Sequence, residues 1–313
     1  MAMPQAARLR LGTRGSLLAL WQANWVKAGL EAAHAGVDVE LVPVRTTGDR
    51  VLEGPLSSIG GKGLFTKELD EALLRGQIGL AVHSLKDLPF RLTDGITLAA
   101  VLPRGDPRDA LVSDGRSLSG MPSGSRIGTG SLRRRSQLLC AFPGLEVGGL
   151  RGNVDTRLRR FDEGAYDGIV LSAAGLERLG HGRRISEYLD PGVLLPAVGQ
   201  GAVAAVCRED DAGTAALLGS LDDAPTRAAV MAERALLEIL EGSCQVPIGG
   251  YAVVEGEALR LRGRIASPDG RQVVTDQLVG TRADPAGLGR QLGERLLEAG
   301  GRRILADIRE HGA

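Results

Sequence analysis

Aromatic residues are scarce in this 313-residue chain, at 3% of the sequence, which removes the stacking platforms by which proteins hold single-stranded nucleic acid. Net charge is missing too. The 38 acidic residues balance 38 basic ones, so no general basic field draws the chain to nucleic acid or to an anionic membrane. Lysine is nearly absent, with Lys27, Lys62, Lys67 and Lys86 the only ones among the basic residues. The three cysteines, Cys140, Cys207 and Cys244, have no paired spacing, which argues against a disulfide framework. Four scattered histidines, His34, His83, His181 and His311, give neither C-x-x-C nor H-E-x-x-H spacing, so no metal is expected. Long apolar runs are lacking, and residues 1–8 run into Arg8 without an apolar segment, which predicts a cytoplasmic protein with no membrane partner.

What is present is a repeated alternation of strand and helix patterns. Residues 8–12 read as a strand, 16–33 as a helix with Trp21 and Trp25 at i and i+4 as core residues, and 37–44 as a strand. A polar, glycine-punctuated loop covers 46–63, followed by a helix over 64–75 and strands over 78–84 and 96–102. Turn formers cluster at 103–107, and the alternation then restarts with strands over 126–128, 145–150 and 168–172 and helices over 131–141 and 153–163. Such alternation predicts parallel sheets with helices on both faces, in two similar α/β lobes enclosing a cleft. The apolar run 201–207 reads as a strand returning to the first lobe. After Asp222 the pattern changes to a helix over 225–240, strands near 249–254, 258–267 and 272–279, and a final helix over 286–299. The expected domains are therefore 1–102 with 201–221, then 103–200, then a smaller α+β domain over 222–313. Cys140 and Cys207 each close an apolar run and read as core filler.

Cys244 differs from these two. It lies in Gly242-Ser243-Cys244-Gln245-Val246-Pro247-Ile248-Gly249, bracketed by glycines, where neither helix nor strand covers the thiol, so it is the candidate for covalent chemistry. Elsewhere, cationic and hydroxyl side chains collect at strand-to-helix junctions, where open α/β sheets bind ligands. Arg14 and Ser16 follow the first strand; Ser84, Lys86 and Asp87 follow the strand over 78–84; Thr129, Ser131, Arg133 and Arg134 follow the one over 126–128. Arg151 precedes Asn153, which caps a helix carrying Arg157. Helix N-termini present unbonded N–H groups and partial positive charge, so together with arginine they form anion sites. A single arginine is more often paired with an acid on a solvated face, but the whole set at matching junctions implies a ligand with several carboxylates. Arg133, Arg134 and Arg135 cannot all face one way on a helix, and Arg135 is expected to be the least involved. Asp87, an acid in cationic company, is either a proton acceptor and stabiliser of a transient cation or a turn-former and ion-pair partner. The glycine-rich stretches are not nucleotide motifs. Gly60-Gly61-Lys62-Gly63 lacks Ser or Thr after Lys62, and Gly128-Thr129-Gly130-Ser131-Leu132-Arg133 has arginine where the third glycine is needed.

Further stretches lie between and beyond these: Gly12-Thr13-Arg14-Gly15-Ser16-Leu17, His83-Ser84-Leu85-Lys86-Asp87-Leu88-Pro89 and Leu150-Arg151-Gly152-Asn153-Val154-Asp155-Thr156-Arg157. Ala174-Gly175-Leu176-Glu177-Arg178 and Leu195-Pro196-Ala197-Val198-Gly199-Gln200-Gly201 complete the set. In this order and spacing the chain resembles, nearly end to end, the porphobilinogen deaminase (hydroxymethylbilane synthase) family. The resemblance implies two periplasmic-binding-protein-like α/β lobes enclosing a cleft plus a smaller C-terminal α+β domain. It implies a transferase of tetrapyrrole (haem) biosynthesis, acting as a monomer on the small molecule porphobilinogen. A dipyrromethane cofactor, assembled from substrate and held by a thioether to Cys244, is lengthened by four porphobilinogen units before water releases hydroxymethylbilane. The acetate and propionate on each ring match the polyanion site read from the arginines. Residue by residue, Asp87 is implied to be catalytic. Cys244, Arg133, Arg134, Lys86, Ser84, Thr129, Ser131 and Arg157 are implied to hold the cofactor, and Arg14, Ser16, Arg151, Arg178, Gln200, Lys62 and Phe65 the substrate, with Lys62 and Phe65 bordering a lid. Ser58 stands where some members have lysine and Gly130 replaces the serine common before Ser131, so neither is credited with a side-chain contact.

Two other classes compete. A two-lobed carboxylate-binding or sensor protein accounts for the arginines but leaves Cys244 and Asp87 unused. A thiol nucleophile at Cys244 would need a histidine base; His83 is nearest to a candidate site and reads as a packed or turn-supporting residue.

Overall fold

Serine, asparagine and aspartate placed just before helical stretches set several helix starts in this chain, which a computed structural model describes over residues 7–47, 66–240 and 246–311. Cys244, Lys62 and Phe65 lie outside the described residues, as does most of the 46–63 loop. The chain opens with β1 (Ala7–Thr13), α1 (Leu17–Ala33), β2 (Val37–Pro43), α2 (Lys67–Leu74), β3 (Leu80–Ser84) and β4 (Ile96–Val101). Next come β5 (Asp109–Ser113), β6 (Arg126–Gly128), α3 (Leu132–Ala141), β7 (Glu146–Gly148), α4 (Val154–Asp162), β8 (Gly168–Ser172), α5 (Ala173–Arg178) and β9 (Glu187–Tyr188). After these follow β10 (Val203–Arg208), α6 (Ala212–Gly219) and α7 (Ala224–Ile239). The last stretch holds β11 (Ile248–Glu255), β12 (Ala258–Ala266), β13 (Val273–Thr281), α8 (Pro285–Leu296) and α9 (Arg302–His311). The side chains of Ser16, Ser131 and Asn153 accept from backbone N–H groups of the helices they precede, at 3.3, 3.4 and 2.9 Å, the capping that strand-to-helix junctions of this composition favour.

Two compact units divide the chain, Met1–Arg104 with Ala202–Arg227, and Gly105–Gly201 with Ala228–Ala313. The first is built on a five-stranded sheet of order β2-β1-β3-β10-β4. Leu11, Leu80, Val82, Val203, Ala205 and Cys207 pack its face against Ala23, Val26 and Leu30 of α1 and Leu218 of α6. The second unit holds a five-stranded sheet of order β7-β6-β8-β5-β9 and a three-stranded antiparallel sheet, β11-β12-β13. The smaller sheet is covered by apolar side chains of α7, α8 and α9, including Leu236, Leu292 and Ile304. At Gly263 of β12 a Cβ would stand 2.6 Å from Leu296 Cδ1, so a larger residue there would make the Leu296 side chain of α8 shift.

Both large sheets are mixed, where strand and helix alternation predicts parallel ones. β1 runs parallel to β2 and β3, but β10 is antiparallel to β3 and β4. Likewise β6 is parallel to β7 and β8, and β5 is antiparallel to β8. Alternation reports direction only where a helix links two neighbouring strands, and neither β5 nor β10 is reached that way. Strand β5 itself goes unpredicted, as do α5, α6, β9 and α9, the last following a break at Gly300 with φ of 114°.

Two core expectations fail. Cys140 is exposed, in a last turn of α3 where Ala141 is exposed as well, whereas Cys207 is fully buried. Trp21 is 37% exposed because the buried stripe of α1 runs through Gln22, Ala23, Val26 and Leu30, which at about 100° per residue leaves Trp21 roughly opposite. Trp25 packs against the core at the stripe's edge, with the two ring centroids 5.6 Å apart. No helix among the described residues is long and apolar enough to cross a membrane.

Candidate functional site

In the first unit, the parallel pairing of β1 and β3 brings their C-terminal ends to one edge of the sheet. Arg14, half-buried, follows β1, and Ser16 caps α1 just beyond it. At the end of β3, Ser84 Oγ accepts from Gln22 Nε2 of α1 at 2.8 Å. Lys86 and Asp87, both half-buried, form a single tight helical turn with Leu85. Its own hydrogen bond runs from Leu88 N to Leu85 O at 3.1 Å, and Leu85 N ties it to the neighbouring chain by donating to Ala202 O at 3.0 Å. Arg14, Ser16, Ser84, Lys86 and Asp87 therefore lie along one edge of the sheet.

His83 lies beneath this edge on β3. Burial, and secondarily the positive charge of Arg14, lower its pKa to about 4, and its Nε2 makes no hydrogen bond among the described residues. A neutral imidazole at pH 7 follows.

The second unit repeats the arrangement. β6 ends at Gly128 and leads through Thr129 to Ser131, which caps α3; Thr129 Oγ1 accepts from Ser131 N at 3.3 Å. Arg133 and Arg134 leave the first turn of that helix for the interior, each 5% exposed, while Arg135 is exposed. Between them stands Asp109, at the start of β5, which the antiparallel pairing Asp109↔Ser172 carries to the C-terminal end of β8. Arg133 Nη1 donates to Asp109 Oδ2 at 2.7 Å, and Arg134 Nε to Oδ1 at 2.9 Å. Gln200 Nε2 donates to the same Oδ1 at 2.8 Å. Burial alone raises the Asp109 pKa, but the two guanidiniums, with hydrogen bonds from Arg133 and Gln200, hold the carboxyl well below the usual carboxylate range.

Arg151 sits after β7, where a Cβ on Gly130 would stand 2.7 Å from Leu150 O, so a serine at this position would displace one of the two junctions. Arg157 Nε, on α4, donates to Gly152 O at 2.8 Å. Arg178, at the end of α5, donates from Nη2 to Gly201 O at 2.8 Å, and burial pulls its pKa down. Arg133, Arg134 and Gln200 thus surround one buried carboxylate beside the Thr129–Ser131 turn, while Arg151 follows β7, Arg157 lies on α4 and Arg178 ends α5 in the same unit. Asp109 is the residue the sequence reading misses. Its signal is an acid entering the apolar run Ala110-Leu111-Val112, hidden by the turn formers of 103–107.

No group of three or more His, Cys, Asp or Glu side chains among the described residues is placed to hold a metal. The chemistry on offer is anion recognition at two sets of strand ends, with Asp87 as the acid beside one of them. For His83 the expected solution behaviour is a titration midpoint near pH 4 in histidine-resolved NMR. The unfolded imidazole takes up a proton that the folded one resists, so stability falls as the pH drops from 6.5 toward 4. A midpoint near 6.5 would contradict the burial argument.

Residues 9–216 match the family model described as porphobilinogen deaminase, dipyromethane cofactor binding domain, and residues 227–298 match the porphobilinogen deaminase C-terminal domain. The porphobilinogen deaminase of Trichlorobacter lovleyi is 52% identical over 301 residues, 96% of this chain and 96% of that one. That of Syntrophotalea carbinolica is 52% identical over 304 residues, 97% and 96% of the two chains. Among solved structures, lipoprotein Tp32 from Treponema pallidum is a distant likeness, 13% identical with a TM-score of 0.43 over 68% of this chain and 89% of that one. On the match of both domain models and on these identities over nearly its whole length, the chain belongs to the porphobilinogen deaminase family.

Proposed function

We propose that this chain is a porphobilinogen deaminase, a transferase that deaminates four porphobilinogen molecules and joins them on a covalent dipyrromethane primer, releasing hydroxymethylbilane for tetrapyrrole biosynthesis. The observation that carries this reading is the pair of buried guanidiniums, Arg133 and Arg134, sharing one carboxylate beside the capped start of α3. Such an excess of buried positive charge is costly unless an anion meets it, and every pyrrole of the substrate type bears an acetate and a propionate. Cations and hydroxyls at capped helix starts are the donor set a chain of such rings needs, so the residues present fit the cofactor. When bound, the dipyrromethane supplies a free pyrrole α-carbon as the nucleophile.

The protein's own groups divide the remaining work. Cys244 is the thioether anchor. Ser84, Lys86, Thr129, Ser131, Arg133, Arg134 and Arg157 hold the primer's carboxylates, while Arg14, Ser16, Arg151, Arg178 and Gln200, with Lys62 and Phe65, receive the incoming substrate. Charge-assisted hydrogen bonds of this kind contribute about 1.5–3 kcal/mol each, and several per ring orient it with little residual freedom. Asp87 accepts hydrogen bonds from pyrrole N–H groups, balances the positive charge left on the substrate as ammonia departs, and takes up the proton released as the rings join. Support comes from its position beside Lys86 in a hydrogen-bonded turn that Leu85 N anchors to Ala202 O. The proposed domains are 1–102 with 201–221 carrying Asp87, 103–200 carrying the arginine cluster, and 222–313 carrying Cys244. The reading takes the enzyme as a cytoplasmic monomer, every assigned group coming from one chain.

Intact mass of the purified protein tests the anchor. The wild type is expected to exceed its sequence mass by one dipyrrole and Cys244→Ser to match its own; active wild type without the adduct would sink the proposal. Asp87→Ala should keep the adduct and lose about 10²–10⁴-fold in turnover of porphobilinogen. Turnover within a few-fold of the wild type would remove Asp87 from this role.

A further inference from the structure

Asp109 is fully buried between two arginines that are each 5% exposed. It uses both oxygens: Oδ2 accepts from Arg133 Nη1 at 2.7 Å, and Oδ1 from Arg134 Nε at 2.9 Å and Gln200 Nε2 at 2.8 Å. The remaining acceptors of the two guanidiniums are backbone carbonyls, Leu195 O for Arg133 and Val170 O for Arg134. No second carboxylate bonds either arginine among the described residues. Two positive charges against one negative leave the cluster with a net positive charge where little water reaches. Burial lowers the pKa of Arg134, and the neighbouring Arg133 lowers it further, against the pull of Asp109.

Its surroundings hold the cluster still. Gln137 Nε2 donates to Leu195 O at 3.1 Å and to Arg133 O at 3.2 Å, while its Oε1 accepts from Leu195 N at 2.8 Å. The carbonyl that receives Arg133 is thereby fixed as well. A long arginine side chain otherwise samples many rotamers, so a carboxylate gripping two guanidiniums and a carboxamide sets the direction of three ligand-binding groups at once.

We propose that Asp109 is a positioning residue of the anion site, aiming Arg133, Arg134 and Gln200 at the carboxylates of the pyrrole chain, and that one of those carboxylates completes the charge balance of the cluster. This rests on the deaminase reading above. Asp109 touches no reacting atom; it acts through the arginines and the glutamine. A purely structural ion pair would need only the charge, whereas positioning needs the length of aspartate as well.

Asp109→Glu and Asp109→Asn separate these roles. Asp109→Glu retains the buried charge and is expected to fold, with a circular dichroism spectrum like the wild type. The longer side chain displaces the guanidiniums, so the fraction of protein carrying the dipyrrole mass should fall, or the KM for porphobilinogen in the loaded fraction should rise, by about tenfold, with kcat changing less. Asp109→Asn, where it folds, should lose more of the adduct than Asp109→Glu. Folded Asp109→Glu with wild-type adduct occupancy and wild-type KM would overturn the proposal whatever Asp109→Asn does. Absence of the adduct from the wild-type protein itself would instead overturn the deaminase reading.

Discussion

A carboxylate removed from water must be met by positive charge and hydrogen bonds, and Asp109 meets that requirement through Arg133, Arg134 and Gln200. Much of the second unit follows from it. Strand β5 has to run antiparallel to β8 for its first residue to reach the strand ends from which α3 departs. Helix α3 has to start at Ser131, so that its first turn delivers consecutive arginines inward. The Leu195–Gln200 segment has to lie against both, supplying Leu195 O and the Gln200 carboxamide. Breaking one partner of such a cluster is strongly destabilising, because it strands a buried charge. The arrangement therefore constrains the fold as tightly as it shapes the site.

The two units solve one problem with one device. In each, parallel strands finish at a common edge, and serine or asparagine caps the helix that follows. The capped turn leaves N–H groups and partial positive charge pointing outward, to which arginine adds full charge. Asp87 is the exception within the first unit, an acid next to Lys86 in a single helical turn on an edge that also carries Arg14, Ser16 and Ser84. A carboxylate in that company accepts hydrogen bonds, which suits it to steady a cation formed during reaction.

Much of this is legible in the sequence, for physical reasons. Ser16, Ser131 and Asn153 read as helix starts because capping is local, decided by residues three apart. The alternation of apolar and polar residues likewise gives β1, α1, α3 and α4 nearly to their ends. Strand direction does not read out, because β5 and β10 arrive without a helical crossover. Asp109 is missed because its partners lie 24, 25 and 91 residues away, and a buried ion pair leaves no local period. Cys140 and Trp21 are misjudged because an apolar residue past the buried stripe of a helix looks the same in sequence as one within it. The positions of Cys244, Lys62 and Phe65 lie outside the described residues, and their assignments rest on motif resemblance.

The proposed function makes this chain a reader of carboxylates, with arginines on strand-to-helix junctions orienting pyrroles by their acetate and propionate groups and Asp87 acting on rings so held. The most direct measurement compares porphobilinogen with an ester of it in which both side-chain carboxylates are neutralised and the aminomethyl group is intact. The expected result is a fall in kcat/KM for the ester of at least about a hundredfold, the loss that follows when two or more charge-assisted contacts are removed. Comparable kcat/KM for acid and ester would contradict it.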